Sequence, residues 1–345
     1  MNPIRILHSL YHVKRSVSEQ KAFNQEFLLP TIASFRKKID LSLSIADLDR
    51  IYHTDAINIS VVIGEAFAGL RGLPLIKKER EAITNMAALT LLYDDYFDRF
   101  DFSKDEILKL MSTEEYNPKN AHESLYRIFF DGAINSIPDT ERLFYYANKV
   151  FDAQYDSKRQ ESDGLSYADI LELTRRKGGF SILFYRTALS NPMDEAETQL
   201  AYDLGGLIQL GDDIFDTFWD ANDKLRTFTT ISRDLRPARR DFQAQVDRCL
   251  TSLADTDYPA ANKAVFKAWM LFAASLSFSA LDQLDKLQEE TIDFFDAIAY
   301  KRSEMICDMQ KLTPQLRAFK HLIRLNLPLR QETFNPELIS SDQFS

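Results

Sequence analysis

Two short stretches carry side chains whose types and spacing can do chemistry. One is Asp94-Asp95-Tyr96-Phe97-Asp98, which closes an apolar run beginning at Asn85. The other is Asp212-Asp213-Ile214-Phe215-Asp216, continued by Thr217, Phe218, Trp219 and Asp220. Both read D-D-x-x-D. On a helix Asp94 and Asp98 share a face, as do Asp212, Asp216 and Asp220 over two turns. Stacked carboxylates repel, and at the C-terminal end of an apolar helix the macrodipole adds to the cost. A cation relieves both. Oxygen ligands without a neighbouring His or Cys in the sequence select Mg²⁺ over Zn²⁺. Mg²⁺ takes one or two carboxylates and fills its shell with water and phosphate oxygens, so two such clusters imply a diphosphate held through several ions. The candidate metal ligands are Asp94, Asp95, Asp98, Asp212, Asp213, Asp216 and Asp220.

Basic groups that could meet a diphosphate lie in Thr174-Arg175-Arg176-Lys177-Gly178-Gly179-Phe180, with Lys224 and Arg226 just after the second cluster. A solvated turn would also account for three adjacent bases. The Gly178-Gly179 pair stands inside a helical pattern in a chain with only 10 glycines. It predicts a helix break or a close approach of backbone to ligand. Phe97, Phe180, Phe184, Tyr185, Phe215, Phe218 and Trp219 flank the charged motifs. Most aromatic side chains at helical spacing pack a core, while others could line a pocket whose π-faces stabilise a cation.

The elements that must position these groups read as helices throughout. Apolar residues recur at i, i+3, i+4 and i+7 near 17–39, 44–70, 78–100, 118–136, 139–160, 166–190, 194–221, 236–254, 258–288 and 290–312. Stop signals separate them: Pro30, Gly72-Leu73-Pro74, Asn117-Pro118, Ile137-Pro138, Asn191-Pro192, Pro237 and Pro259. No alternating β-branched run, repeat or low-complexity segment interrupts the pattern. Low glycine, with 11 prolines in 345 residues, fits long helices and few connections. Hydrophobic residues make up 45%, enough for a sizeable core. The 52 acidic residues divide into 33 Asp and 19 Glu, although Asp is the poorer helix former. Some of these aspartates are therefore expected to serve chemistry, caps or turns.

Other functions are disfavoured. A net charge of −10 with scattered bases argues against nucleic acid. Two cysteines make no disulfide framework and fit a reducing cytosol. No secretory h-region is expected in MNPIRILHSLYHVKRS, and the apolar stretch from Ala268 to Leu281 is too short to span a bilayer. The five histidines form no E-x-x-H or H-E-x-x-H pattern, and G-x-S-x-G, Walker A and G-x-G-x-x-G are absent.

Taken together, these residues resemble the class I isoprenoid synthase superfamily, which includes trans-prenyl diphosphate synthases, squalene/phytoene synthases and terpene cyclases. The stretch from Leu91 to Asp98 is similar to the first aspartate-rich motif of prenyl synthases, and that from Gln209 to Asp216 to the second. Between them, Gln154 and Lys177-Gly178-Gly179 fall in the order of that family's Gln-containing helix and its Lys-Thr/Gly motif, so the match spans roughly residues 60–230. The departures are informative. Elongating enzymes carry Arg-Arg-Gly after the first motif and Gly-Lys-Arg upstream; this chain has Arg99-Phe100-Asp101 and Gly69-Leu70-Arg71-Gly72. A second diphosphate pocket is therefore expected to be missing. Asp212-Asp213-Ile214-x-Asp216-x-x-x-Asp220 also resembles the metal motif of terpene cyclases, with Asp in place of Ser/Thr and Glu. In that family an Arg before a helix break senses the diphosphate, a role open to Arg175 or Arg176.

The resemblance implies an all-α, single-domain bundle of about ten to twelve helices around a central apolar cavity. Residues 1–328 would form it, leaving 329–345 as a C-terminal tail. It implies a Mg²⁺-dependent terpene synthase, with a trio of ions, acting on one linear prenyl diphosphate. Asp94, Asp98, Asp212, Asp216 and Asp220 would be catalytic; Gln154, Arg175, Arg176, Lys177, Gly178, Lys224, Arg226, Phe97, Phe180 and Phe184 would meet substrate. Leu89 and Thr90 are not aromatic, which suggests room for fifteen carbons or more. The alternatives are a prenyltransferase, elongating or head-to-head, and a non-catalytic regulatory partner of one. A cytoplasmic protein without a stable membrane anchor, and with a homodimer as family precedent, completes the expectation.

Overall fold

The computed structural model describes residues 3–100, 102–112, 116–291 and 294–326, with side chains from residue 13 onward. Among the described residues every long element is an α-helix, and the only β feature is an isolated bridge between Asp40 and Leu43. The chain opens with α1 (Pro3–Phe27) and α2 (Leu29–Phe35). A helical run over residues 45–71 comes next. It contains α3 (Ile45–Arg50), a π turn (Ile51–Asp55), α4 (Ala56–Ile59), a second π turn (Ser60–Glu65) and α5 (Ala66–Arg71). Gly72, in the left-handed region at φ 75°, ends it.

The chain then forms α6 (Lys77–Asp98), α7 (Lys104–Leu110), α8 (Ala121–Ser136), α9 (Thr140–Ser157) and α10 (Tyr167–Arg186). The second half holds α11 (Glu195–Phe215), α12 (Thr217–Asn222), α13 (Leu235–Asp255) and α14 (Ala260–Glu290). Two last elements are α15 (Arg302–Met305) and α16 (Leu312–Asn326). Asp139, Asp194 and Asp234 accept the first-turn N–H groups of α9, α11 and α13 as N-caps, which accounts for part of the aspartate excess.

The architecture is the expected all-α bundle. Its core has two large parts. One gathers Phe67, Leu204, Phe242, Phe266 and Phe278 between α5, α11, α13 and α14. The other gathers Leu92, Tyr96, Tyr126, Phe129 and Phe151 between α6, α8 and α9. Phe184 of α10 packs against both, so α10 joins the two halves. A buried ion pair, Arg186 Nε to Glu197 Oε1 at 2.7 Å, fixes the end of α10 to the start of α11, and Tyr258 donates to the other Glu197 oxygen at 2.7 Å. Charges this deep persist only when paired and hydrogen-bonded.

Three expectations need correction. Residues 194–221 are not one helix but two, α11 and α12, parted at Asp216. Residues 290–312 are not one helix: α14 ends at Glu290, and the described residues beyond it form loop, a short 3₁₀ turn and α15. A helix stands instead at Leu312–Asn326, starting across Pro314, which is tolerated because it falls in the first turn. Gly178-Gly179 do not break α10, which runs unbroken through them. They are small because α11 presses on them. A Cβ on Gly178 would lie 2.1 Å from the Gly205 carbonyl oxygen, and one on Gly179 would lie 2.5 Å from the Tyr202 ring. The close approach is helix to helix.

The apolar stretch from Ala268 to Leu281 lies inside α14, close to the helix expected over 258–288. At 31 residues α14 is long and apolar enough to cross a membrane by length and composition, but 61% of its apolar window is buried in this bundle. The expected tail, 329–345, lies outside the described residues.

Candidate active site

A cavity of about 380 Å³ opens between the two core halves. The 45–71 run contributes Arg50, Asn58, Ile59, Val62 and Ile63; α6 contributes Leu89, Thr90, Tyr93 and Asp94. Across from these stand Lys177, Gly178, Ser181, Ile182, Phe184 and Tyr185 of α10, with Gly205, Ile208, Gln209 and Asp212 of α11. Met111, Tyr126, Phe130, Ala147, Val150 and Gln154 line the remaining wall. Most of this lining is apolar or aromatic, and its charged groups are Asp94, Asp212, Lys177 and Arg50. Among the expected residues, Asp94, Asp212, Gln154, Lys177, Gly178 and Phe184 therefore meet at one cavity.

The carboxylates are strongly perturbed. Burial pushes Asp94 up to about 7 against the pull of Lys177, with Asp98 adding to the rise. Burial and then the neighbouring Asp212 raise Asp213 to about 7 and Asp216 to about 6. Asp220 reaches about 8 through burial and the three aspartates before it. Asp98 and Asp212 are raised as well, burial again leading and Lys177 opposing. Asp212 and Asp216 keep some surface open to solvent, so the crowding is that of a cleft wall rather than a sealed core. Lys177 acts on both clusters, and its ammonium makes no hydrogen bond or ion pair among the described residues.

α11 stops at Phe215, and Asp216 joins it to α12 with the backbone bent out of helical geometry at φ −93°, ψ 6°. The bonds from Asp216 N–H to the Asp212 carbonyl and from Asp220 N–H to the Asp216 carbonyl survive at 2.8 and 2.9 Å. The Gln209 amide donates to Asp212 at 3.2 Å and the Thr174 hydroxyl to Asp213 at 3.1 Å.

Other expected residues face elsewhere. Asp95 accepts from Arg99 at 3.5 Å and pairs with the buried His122 ring at 3.1 Å, about 100° around α6 from Asp94. Asp213 is 8% exposed and absent from the cavity wall, and Asp98, Asp216 and Asp220 also stand outside its lining, beside Asp94 and Asp212 in their clusters. Arg175 turns to α13, where its Nε donates to Gln245 at 3.0 Å. Arg176 is in an ion pair with Asp156. Successive helical residues diverge by about 100°, so only one of three adjacent bases, Lys177, can look into the cavity. Arg226 pairs with Asp163 at 2.8 Å, and its backbone is tied to Gln160. Lys224 is exposed, with a left-handed φ of 60°. Phe97 packs on Tyr93 and Phe151, and Phe180 packs edge-on against Tyr202.

Arg50 and Asn58 are cavity residues that sequence reasoning missed. Arg50 acts electrostatically on Asp94, Asp212 and Asp216, and its Nε lies 3.5 Å from Asp55. No motif marks it. Tyr93 was legible only as part of the first motif; its hydroxyl is buried without a hydrogen-bond partner.

Among the described residues no three carboxylate, imidazole or thiol groups converge as a ready-made metal cage. The donor set nonetheless fits Mg²⁺, which needs only one or two carboxylates per ion and takes its other oxygens from water and phosphate. Crowded carboxylates, held at proton affinities far above an ordinary Asp of about 3.9, are the electrostatic signature of an uncompensated anionic site. In comparison with known proteins, no family model matches the chain, and no curated protein matches it.

The raised values predict a linkage with a definite sign. These carboxyls hold protons more tightly folded than unfolded, so their contribution to stability is full below about 4 and is lost as pH rises from there through their folded values of about 6 to 8. Mg²⁺ with inorganic pyrophosphate should offset the repulsion, raising Tm by about 2–4 °C at pH 8 and by clearly less at pH 6. Differential scanning fluorimetry reads this without turnover. An equal increment at both pH values would contradict the assignment.

Proposed function

We propose that this chain is a Mg²⁺-dependent terpene synthase. It ionises one linear prenyl diphosphate of fifteen carbons or more; the allylic cation cyclises or loses a proton, and diphosphate is released. One observation carries the reading: Asp94 at the end of α6 and Asp212 at the end of α11 open onto the same apolar cavity, with Lys177 acting on both.

Asp94, Asp98, Asp212, Asp216 and Asp220 would hold the metal. When bound, it neutralises the diphosphate and makes it a better leaving group. The chain's own residues do the rest. Lys177 of α10 and Arg50 of the 45–71 run bind diphosphate oxygens at the acidic rim. Gln209 holds the Asp212 carboxylate in place through its amide. Phe184, Tyr93, Tyr126 and Phe130 surround the hydrocarbon, exclude water and turn π-electron density toward positive charge. The Thr90 and Tyr185 hydroxyls meet at 2.5 Å on the cavity wall, so each is held in place by a hydrogen bond to the other.

Single-substrate chemistry is favoured by Arg71. This upstream arginine is locked in a buried ion pair with Glu79 and bonds Asn191 at 3.1 Å, so it does not supply a second diphosphate site. The test is gas chromatography–mass spectrometry on protein with Mg²⁺ and prenyl diphosphates of ten to twenty-five carbons, each with and without isopentenyl diphosphate. A hydrocarbon or alcohol from one substrate is the expected result. Longer diphosphates formed only with isopentenyl diphosphate, or condensation of two identical donors, would mean a prenyltransferase. No product from any substrate would favour a regulatory role.

A further inference from the structure

We propose that the outward face of α16, with the arginine pocket beside it, docks on an anionic membrane surface. α16 packs on α14 and buries Pro314, Ala318 and Leu322. Its other face is apolar too: Leu312, Leu316, Phe319 and Ile323 are 68%, 59%, 46% and 42% exposed. The spacing of four, three and four residues sets all four on one stripe. A contiguous exposed apolar stripe of this kind marks an interaction surface.

Charge identifies that partner. In a protein of net charge −10, α16 has no acidic residue. Lys320 and Arg324 lie to one side of the stripe at helical spacing. That flank runs into a second cavity, of about 400 Å³, lined by Arg236, Arg239, Arg240, Phe278, His321 and Arg324 among others. Some of its charge is compensated. Arg236 pairs with Asp234, Arg239 with Asp282 and Asp285, and His321 with Asp282. Arg240 and Arg324 make no ion pair among the described residues, and both are exposed.

An apolar stripe beside a basic flank matches the boundary between acyl chains and phosphates, with the arginine pocket placed to take a headgroup phosphate. A second copy of this chain fits less well, because pairing two stripes would bring basic flanks together with no acid on either helix. The element lies on the membrane rather than through it: it has 15 residues and its inner face is already packed. This surface is separate from the proposed reaction and holds whatever the chain's substrate is.

The test is co-sedimentation of the full chain with vesicles of phosphatidylcholine and phosphatidylserine in a two-to-one ratio, and with pure phosphatidylcholine. Binding is expected only to the mixed vesicles, with release at high salt. Phe319→Glu and Leu316→Glu should each weaken binding at least about tenfold, and Arg240→Gln and Arg324→Gln about fivefold each. All four side chains are exposed, so an unchanged Tm is expected. No binding to the mixed vesicles, or binding indifferent to these substitutions, would overturn the proposal. So would light scattering that shows a dimer dispersed by Phe319→Glu, since a second copy would then cover the stripe.

Discussion

Asp94→Asn is expected to lower turnover at least about a thousandfold and, in metal-free protein, to raise Tm. The two effects have one cause. Asp94 is a carboxylate whose burial pushes its pKa up to about 7, so folding suppresses its charge at a stability cost. A neutral amide of the same shape removes that cost and also removes the oxygen charge that a metal needs. Asp95→Asn is the matched control from the same motif. Asp95 faces His122 and Arg99, so its amide variant should keep turnover within about tenfold and lose about 1 kcal/mol with the weakened His122 contact. Steady-state kinetics and thermal melts on both variants separate the outcomes. An Asp94→Asn enzyme within tenfold of the parent would end the metal assignment.

Gly205→Ala is expected to destabilise the fold by about 3 kcal/mol or more, the upper end of overpacking costs. Taken alone, alanine is the better helix former by about 1 kcal/mol. Here the added methyl would sit 2.1 Å from the Gly178 carbonyl oxygen and 2.7 Å from the Gly179 Cα, both backbone atoms that cannot swing away. Gly69→Ala provides the contrast. Its methyl would meet only a Val265 methyl at 3.7 Å, an ordinary contact, so it should be neutral or stabilising by up to about 1 kcal/mol. Chemical denaturation of the two variants gives the comparison, and equal stabilities would show that α10 and α11 are not pressed together as described. Since Lys177 and Gly178 line the cavity beside this contact, Gly205→Ala should also impair activity before the protein unfolds.

The helical class and the two aspartate clusters were legible because both rest on local spacing. Apolar residues one turn apart and carboxylates one turn apart are statements about a single helix; the first cluster stays on α6, while the second is split at Asp216 between α11 and α12. What was not legible depends on which way each helix is rolled. Three adjacent bases look equivalent in sequence, yet Lys177 alone faces the cavity, while Arg175 meets Gln245 and Arg176 meets Asp156. In sequence the glycine pair implies a break or a ligand contact because its local cost is visible and its packing partner, about 25 residues further on, is not. Arg50 carries no local mark at all, since its place at the acidic rim results from tertiary packing of the 45–71 run.

The two π turns in the 45–71 run have a consequence for how this cavity could diversify. Each π turn closes i→i+5 rings, so it holds one residue more than an α turn in the same stretch of backbone. A single-residue deletion there can be absorbed by reverting to α geometry, leaving the flanking turns in register. Ile59, Val62 and Ile63 stand on this stretch and on the cavity wall, so such a deletion would rotate new side chains inward without uncoupling the bundle. The opposite wall has no such slack, because α10 and α11 touch backbone to backbone. Changes in chain length should therefore be tolerated on one side of the pocket and lethal on the other.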